Sequence, residues 1–409
     1  MSKESISVGL DIGSTKVVTC VGKFDSGIID IMGIGQAQNQ GMRKGVIVDI
    51  EETVSAISAS LEEAERMAGM ALKNAVIGID GPHIESTSSK GVIAVSRTDG
   101  EISEQDVERV IQAARAIPNR PNREILHSIP INFVIDGQDV VKDPLGMSAI
   151  RLEVDTQIIS TSTNAIKNLE RCVEQSGISP IEIIFSPMAT AKVLLSKRQM
   201  EIGVILIDIG AASTSYAIFE EGDLIHCGVI PIGSAHITND IAIGLRTSIE
   251  IAEVLKVKYG FALPDKVSEK DEVQLKSIDK REDGPVSVKY ISEIIEARLK
   301  EILLIVRSRL EEIDRDGTLP AGVILTGGGC KLEGIIELSK ETLRLPAQIG
   351  TPLVEVNGLV DKVDDPVYAT SVGLMLWGKD KTAPAFQLDS GSVSGILDKA
   401  KGFLKQFMP

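Results

Sequence analysis

Two aspartates set the chemistry this sequence can offer. Asp11 follows the apolar run Ile6 to Leu10 and opens Asp11-Ile12-Gly13-Ser14-Thr15-Lys16. Asp208 follows Val204-Ile205-Leu206-Ile207 and opens Asp208-Ile209-Gly210-Ala211-Ala212-Ser213-Thr214. In both copies an apolar strand ends in a carboxylate, a glycine stands two residues on, and hydroxyl side chains complete the turn. Gly13 and Gly210 can take positive φ and let backbone approach a ligand. Successive backbone N–H groups with Ser14, Thr15 and Lys16, and with Ala211, Ala212 and Ser213 in the second copy, suit a concave anion site. Asp11 and Asp208 would hold a hydrated Mg2+, which binds through one or two carboxylates plus phosphates. A third cluster, Gly327-Gly328-Gly329-Cys330-Lys331, follows the short apolar strand Val323 to Thr326 and precedes a helical pattern from Leu332. Bare backbone at a helix start can receive a phosphate or a flat ligand.

The elements that must position these turns are duplicated. Ile31-Met32-Gly33-Ile34-Gly35 is echoed by His226-Cys227-Gly228-Val229-Ile230-Pro231-Ile232-Gly233, so each half reads strand, tight turn, strand, strand. A single copy is equally compatible with an ordinary β-hairpin; the repetition in matching contexts favours a ligand. The expectation is an α/β protein of two lobes that face one cleft. The two phosphate-type turns and the glycine cluster resemble the phosphate and adenosine loops of the actin, sugar-kinase and Hsp70 superfamily. That resemblance implies ATP clamped between the lobes.

Bulk properties narrow the class. The chain has 409 residues with 43% hydrophobic content, enough for several cores and unlike a disordered chain. A formal net charge of −15 and 3% aromatic residues speak against nucleic acid as a partner, by electrostatics and by base stacking. Cys20, Cys172, Cys227 and Cys330 lack metal-site spacing and read as small core residues or reduced thiols. There is no N-terminal signal segment, and no apolar run approaches the roughly 20 residues that span a bilayer. The expected location is cytoplasmic.

Along the chain, residues 1–83 and 161–195 read as the first lobe, with a helix from about Ile50 to Met70 whose buried face carries Val54, Ile57, Leu61, Ala64 and Ala68. Residues 84–160 interrupt it as a compact α+β module, whose helix is capped by Ser103 with Asp106 three residues on. Such an insertion suits docking better than chemistry. Residues 196–240 and 312–378 read as the second lobe, and 241–311 as its subdomain. Within that subdomain Thr238 to Tyr259 reads as helical, 262–287 as a solvated excursion, and a long helix carries Ile291, Ile294, Ile295, Leu299, Ile302, Leu303, Val306, Leu310 and Ile313. Glu253 and Lys256 lie one turn apart, a spacing that ordinarily means a surface pair of about 0.2–0.5 kcal/mol.

Residues 379–391 lose periodicity and read as a flexible linker. In 392–409, Val393, Ile396, Leu397, Ala400, Phe403, Leu404 and Phe407 fall at helical spacing on an arc of roughly 120°. Lys399, Lys401 and Lys405 flank that arc, where ammonium groups reach lipid headgroups. The expectation is an amphipathic helix that binds membrane lipid; the alternative is a terminal helix packed on its own domain.

Arg43-Lys44-Gly45-Val46-Ile47-Val48-Asp49, Asp143-Pro144-Leu145-Gly146-Met147, Ile237-Thr238-Asn239-Asp240-Ile241-Ala242 and Ala252-Glu253-Val254-Leu255-Lys256, with the terminal helix, resemble the FtsA family of bacterial cell-division proteins. The likeness covers essentially the whole chain. It implies an actin-like fold with an SHS2-type insert, polymerisation (self-association into a filament), and attachment of the tubulin-like FtsZ, through its C-terminal peptide, to the inner membrane at the septum. It further implies other division proteins as partners of the insert. Gly233, Glu253 and Lys256, with Gly327, Gly328, Gly329 and Lys331, would then surround the adenosine. The family pattern has glycines where Ala211, Ala212 and Ser234 stand, and no Glu or Gln is offered around Ser186-Pro187-Met188-Ala189. The expectation is ATP binding with weak or absent hydrolysis. A type IV pilus-assembly scaffold of the same fold is the alternative, followed by a small-molecule kinase, which needs a carboxylate base.

Overall fold

A computed structural model describes residues 5–25, 28–96, 100–116, 121–281 and 284–379. The linker from 380 onward and the amphipathic segment 392–409, with all its membrane-facing residues, lie outside the described residues.

The first lobe opens with a meander, β1 (Ser5–Ile12), β2 (Lys16–Asp25) and β3 (Ile28–Gln38). The short hairpin β4 (Met42–Arg43) and β5 (Val46–Ile47) leads to α1 (Ile50–Ala68) and β6 (Asn74–Ile79). Helix α1 starts where the Asp49 carboxylate accepts the Glu52 N–H and stops at Gly69, whose φ of 70° few other residues tolerate. Ile57, Leu61 and Ala64 are buried as expected, with Val54 and Ala68 half-buried at the margins of the face. The helix lies close on β3, because a Cβ on Gly35 would stand 1.9 Å from the Ser60 carbonyl oxygen.

The insert comprises β7 (Glu85–Ala94), α2 (Glu104–Arg115), β8 (Arg123–Ile135), β9 (Asp139–Val141) and β10 (Arg151–Ser162). Its antiparallel sheet, in the order β7-β10-β8-β9, buries Phe133, Leu152 and Val154 under Val107, Val110 and Ile111 of the helix, a core of its own. The Ser103–Asp106 capping box is present.

The chain returns through α3 (Thr163–Gln175), β11 (Ser179–Phe185), α4 (Ser186–Leu194) and α5 (Lys197–Ile202). The second lobe repeats the meander as β12 (Val204–Ile209), β13 (Thr214–Glu220) and β14 (Asp223–Ile230). It continues through α6 (Ser234–Leu245), α7 (Ile249–Tyr259), the hairpin β15 (Glu272–Gln274) and β16 (Pro285–Ser287), and α8 (Val288–Glu312). Then come β17 (Gly322–Thr326), α9 (Ile335–Leu343), β18 (Ala347–Ile349), β19 (Val356–Gly358), α10 (Val360–Val363) and α11 (Ala369–Lys379).

Strand order carries the duplication. The run β3-β2-β1-β6-β11 in the first sheet matches β14-β13-β12-β17-β18 in the second, with the same succession of two antiparallel and two parallel pairings. Register agrees as well: Asp11 pairs with Val18, and Asp208 with Ser215. Both aspartates therefore stand at corresponding strand ends.

Four expectations change. The helix expected from Thr238 to Tyr259 is broken, since Arg246 takes φ 54° and the Ser248 side chain caps a fresh start. The stretch 262–287 is no mere excursion, because Ala262, Leu263, Val273 and Leu275 join the second lobe's core; isolated apolar residues among charges give no period to read. The helix after the glycine cluster begins at Ile335, past a 3-10 turn over Gly328–Lys331 and a left-handed Gly334. Finally, 312–378 does not stay in the second lobe. β19 pairs with β3 and α11 packs across β1, where a Cβ on Gly9 would stand 2.2 Å from the Ser371 oxygen. Helix α11 is buried all round from Ala369 to Gly378, so periodicity could not say which sheet it covers.

All four cysteines are free and buried. Among the described residues no helix is long and apolar enough to cross a membrane.

Candidate functional site

The twin turns are the same structure. Gly13 N–H donates to the Lys16 carbonyl at 2.9 Å, and Gly210 N–H donates to the Ser213 carbonyl at 2.9 Å. Neither glycine takes positive φ, contrary to the expectation. Glycine is needed for space: a Cβ on either would lie 2.9 Å from that same carbonyl oxygen. Ala211 and Ala212 also stay out of the left-handed region, so the methyls that depart from the family pattern bring no backbone strain.

Each turn is fastened from behind. Asn39, buried at the end of β3, donates its Nδ2 to Gly13 O at 2.8 Å, and its own N–H to Thr15 O at 3.0 Å. In the second lobe the start of α6 does this work, with Ser234 N–H to Gly210 O at 2.8 Å and Ala235 N–H to Ala211 O at 2.9 Å. Gly233 permits the approach, since its Cβ would stand 2.6 Å from Gly210 O. Gly233 thus packs behind the phosphate-type turn, where the sequence reading had put it beside adenosine. Asn39 escaped that reading altogether; nothing in its neighbours marks it.

Between the lobes lies a cavity of about 990 Å3, lined by Asp11 to Lys16, by Gly210 to Ser213, by Gly327 to Gly329, and by Glu253, Lys256 and Lys331. The structure therefore brings together every expected cleft residue except Gly233. It adds Asp80, at the end of β6, whose Oδ1 accepts the Gly81 N–H at 2.8 Å. Asp80 had a signal: Ile79-Asp80-Gly81 ends a strand parallel to β1, as Asp11 ends β1 itself. Burial, then the charge of Asp208, raises Asp11 to about 7, and the same two causes raise Asp80 to about 7. Burial raises Asp208 to about 6, against a Thr370 Oγ1 hydrogen bond of 3.3 Å and the charge of Lys16. Burial lowers Lys16, while Asp11 and Asp208 pull it back. Carboxylates whose ionisation is disfavoured by burial and by each other suit a divalent cation that supplies the missing charge. Among the described residues no three Asp, Glu, His or Cys side chains form a direct metal cage. The donor set fits Mg2+ held largely through water.

On the opposite wall, Lys256 is buried rather than a surface partner. Its Nζ donates to Glu253 Oε2 at 2.6 Å and to Thr238 Oγ1 at 2.8 Å. Lys331 pairs with Asp365 at 2.7 Å. The three glycines divide the labour. Gly327 takes φ 82° and would drive a Cβ to 2.2 Å from Asp208 Oδ1, and Gly329 would strike Ile209 Cγ2 at 2.3 Å. Gly328 has nothing nearer than Val367 Cγ2 at 4.0 Å. All three line the cleft, and Gly328 is the one of them with space for a side chain.

Residues 205–373 match the sequence model of the cell division protein FtsA, and residues 81–160 match that of the SHS2 domain inserted in FtsA. The cell division protein FtsA of Pseudomonas aeruginosa is 39% identical over 395 residues, covering 96% of this chain and 94% of that protein. The chain belongs to the FtsA family. The Bacillus subtilis FtsA is 38% identical over 375 residues, covering 92% and 84% of the two chains. In fold, the type IV pilus PilM-PilN complex contains a chain similar at TM-score 0.68 and 18% identity, covering 91% of this chain and 98% of that one. MreB5 of Spiroplasma citri bound to ADP is similar at TM-score 0.54 and 14% identity, covering 92% and 97%. The actin-like duplicated fold with its SHS2 insert is thereby established. Sequence kinship favours the FtsA reading over the pilus alternative, whose likeness is one of fold.

Proposed function

We propose that this FtsA-family chain binds MgATP between its lobes, polymerises on the cytoplasmic face of the inner membrane, and tethers the FtsZ ring there. One observation carries the nucleotide part: two superposable turns and their carboxylates meet a glycine-lined wall in one cleft. Gly13 to Lys16 and Gly210 to Ser213 would cradle the phosphates. Asp11 and Asp208, with Asp80 as a third carboxylate, would hold Mg2+ through water, and the metal would screen the phosphate charge. Glu253, Lys256, Gly327 to Gly329 and Lys331 would surround the adenosine. The MreB5 structures of the same fold, one bound to ADP and one to AMPPNP, support a nucleotide as the ligand. Ser186, at the start of α4, lines the cleft where a water-activating side chain would be sought, and a serine between Phe185 and Pro187 brings no carboxylate or amide for that task. Hydrolysis is proposed to be weak or absent.

Family kinship supports the other parts. The second lobe would bind the C-terminal peptide of FtsZ, the insert would meet further division proteins, and 392–409 would hold lipid at the septum. Calorimetry with Gly328→Glu tests the nucleotide site. Gly328 lines the cleft with nothing nearer to its Cβ position than Val367 Cγ2 at 4.0 Å, so MgATP affinity is expected to fall well over tenfold in a variant that unfolds as cooperatively as the parent. Unchanged affinity sinks the assignment.

A further inference from the structure

The insert is joined to one lobe by the chain itself and packs against the other, its Ile129 and Ile159 sharing a core with Leu224 and Cys227. On the first lobe, Arg123 at the start of β8 donates to the carbonyls of His83 and Ser160, each at 3.0 Å, and pairs with Glu85 at 3.1 Å. This ties together the segments that leave and rejoin the lobe. His83 Nδ1 meets Thr161 Oγ1 at 2.9 Å, and His127 Nε2 accepts the Phe185 N–H at 3.1 Å. Phe185 directly precedes Ser186 on the cleft wall. The insert is therefore built onto the first lobe.

Its other face lies along β14 of the second lobe, with no chain connection across the seam. The Cys227 thiol donates to Ser86 Oγ at 3.3 Å, and Lys142 pairs with Asp223. At the end of the seam a cavity of about 380 Å3 separates Asn132 and Lys142 from Ile225 and Arg315, so packing there is incomplete. If the lobes turn about the cleft, the covalent junctions cannot slide, and the displacement must appear between β7 and β14. Hinges bend at a few residues while packed faces shear.

We propose that the seam between the insert and β14 reports lobe closure, so that a ligand in the cleft and the position of the insert control each other. This regulation rests on the nucleotide reading above. Linkage makes it reciprocal: whatever fixes the seam changes ligand affinity by the factor with which the ligand shifts the seam. A partner bound to the insert would thus set how tightly the cleft holds its nucleotide.

Ser86→Cys in the full chain tests it. The new thiol, at a half-buried position, would face the buried Cys227, while Cys20, Cys172 and Cys330 are buried away from it. Diamide takes up the two electrons and two protons released as the S–S bond forms. MgATP is expected to change the rate of bond formation, and the oxidised variant is expected to differ from its reduced form in MgATP affinity by about fivefold or more. Reductant restores the affinity, which controls for misfolding. Lys142→Ala, which loosens the seam without an oxidant, is expected to shift affinity in the opposite direction from the bond. Equal bond formation with and without saturating MgATP, equal affinity of the two redox forms, or no bond in either state overturns the proposal. Absence of MgATP binding to the parent chain overturns the nucleotide reading, and the proposal with it.

Discussion

At the scale of single residues, the cleft separates glycines that serve the fold from one that serves the ligand. Gly327→Ala and Gly329→Ala each force a methyl to within 2.3 Å of Asp208 or Ile209, and each is expected to cost about 1–3 kcal/mol of stability, read from urea unfolding. Gly328→Ala is expected to lie within about 0.5–1 kcal/mol of the parent; three equal losses would contradict the division. The carboxylates give a pH signature. Asp11 rises from 3.8 to about 7 on folding, so the native state keeps a proton that the unfolded chain has lost, and this contribution falls as pH climbs from about 4 to 7. Asp11→Asn removes that slope. The variant's thermal midpoint, taken relative to the parent without nucleotide, is expected to rise between about pH 5 and pH 7. A constant difference would show that Asp11 ionises freely. These environments were only half legible in the sequence. The repeat named Asp11 and Asp208, but a carboxylate's burial depends on the facing lobe, and Asn39 acts through contacts to Gly13 and Thr15, remote in the chain.

At the scale of elements, apolar periodicity located most of the fold. α1 and α8 announced their buried faces, and the Ser103–Asp106 box announced α2. Where the signal was uniform or sparse the sequence stayed ambiguous. α11 is buried on every side and could have joined either sheet, and the 262–287 stretch scatters its core residues Ala262, Leu263, Val273 and Leu275 among charges without a sustained period. The terminal segment 392–409 is the element whose role can be tested by itself. Six large apolar side chains would each gain at most about 1.5–3 kcal/mol on full burial, and three lysines about 1 kcal/mol apiece near anionic lipid. Partial insertion and the cost of folding the tail reduce this to a modest attraction for one copy. Phe403→Glu with Phe407→Glu is expected to abolish co-sedimentation with anionic liposomes and to leave MgATP affinity unchanged. Parent-like sedimentation would show that the tail is not the anchor.

At the scale of the whole molecule, the proposed function divides three tasks among the duplicated lobes, the insert and the tail. A nucleotide held between lobes can bias their angle, and the insert, seated across both, would carry that bias to its outer surface. A filament would present many weak tails together, so that later membrane contacts become intramolecular and avidity rises by about 10²–10⁴. Lipid would then hold assembled protein far better than single copies. Electron microscopy of the full chain on an anionic lipid monolayer, with and without MgATP, tests this most directly. The account predicts lipid-bound filaments with MgATP and sparse, unassembled protein without it. Filaments of equal abundance in both conditions, or a bare monolayer with MgATP present, would contradict it.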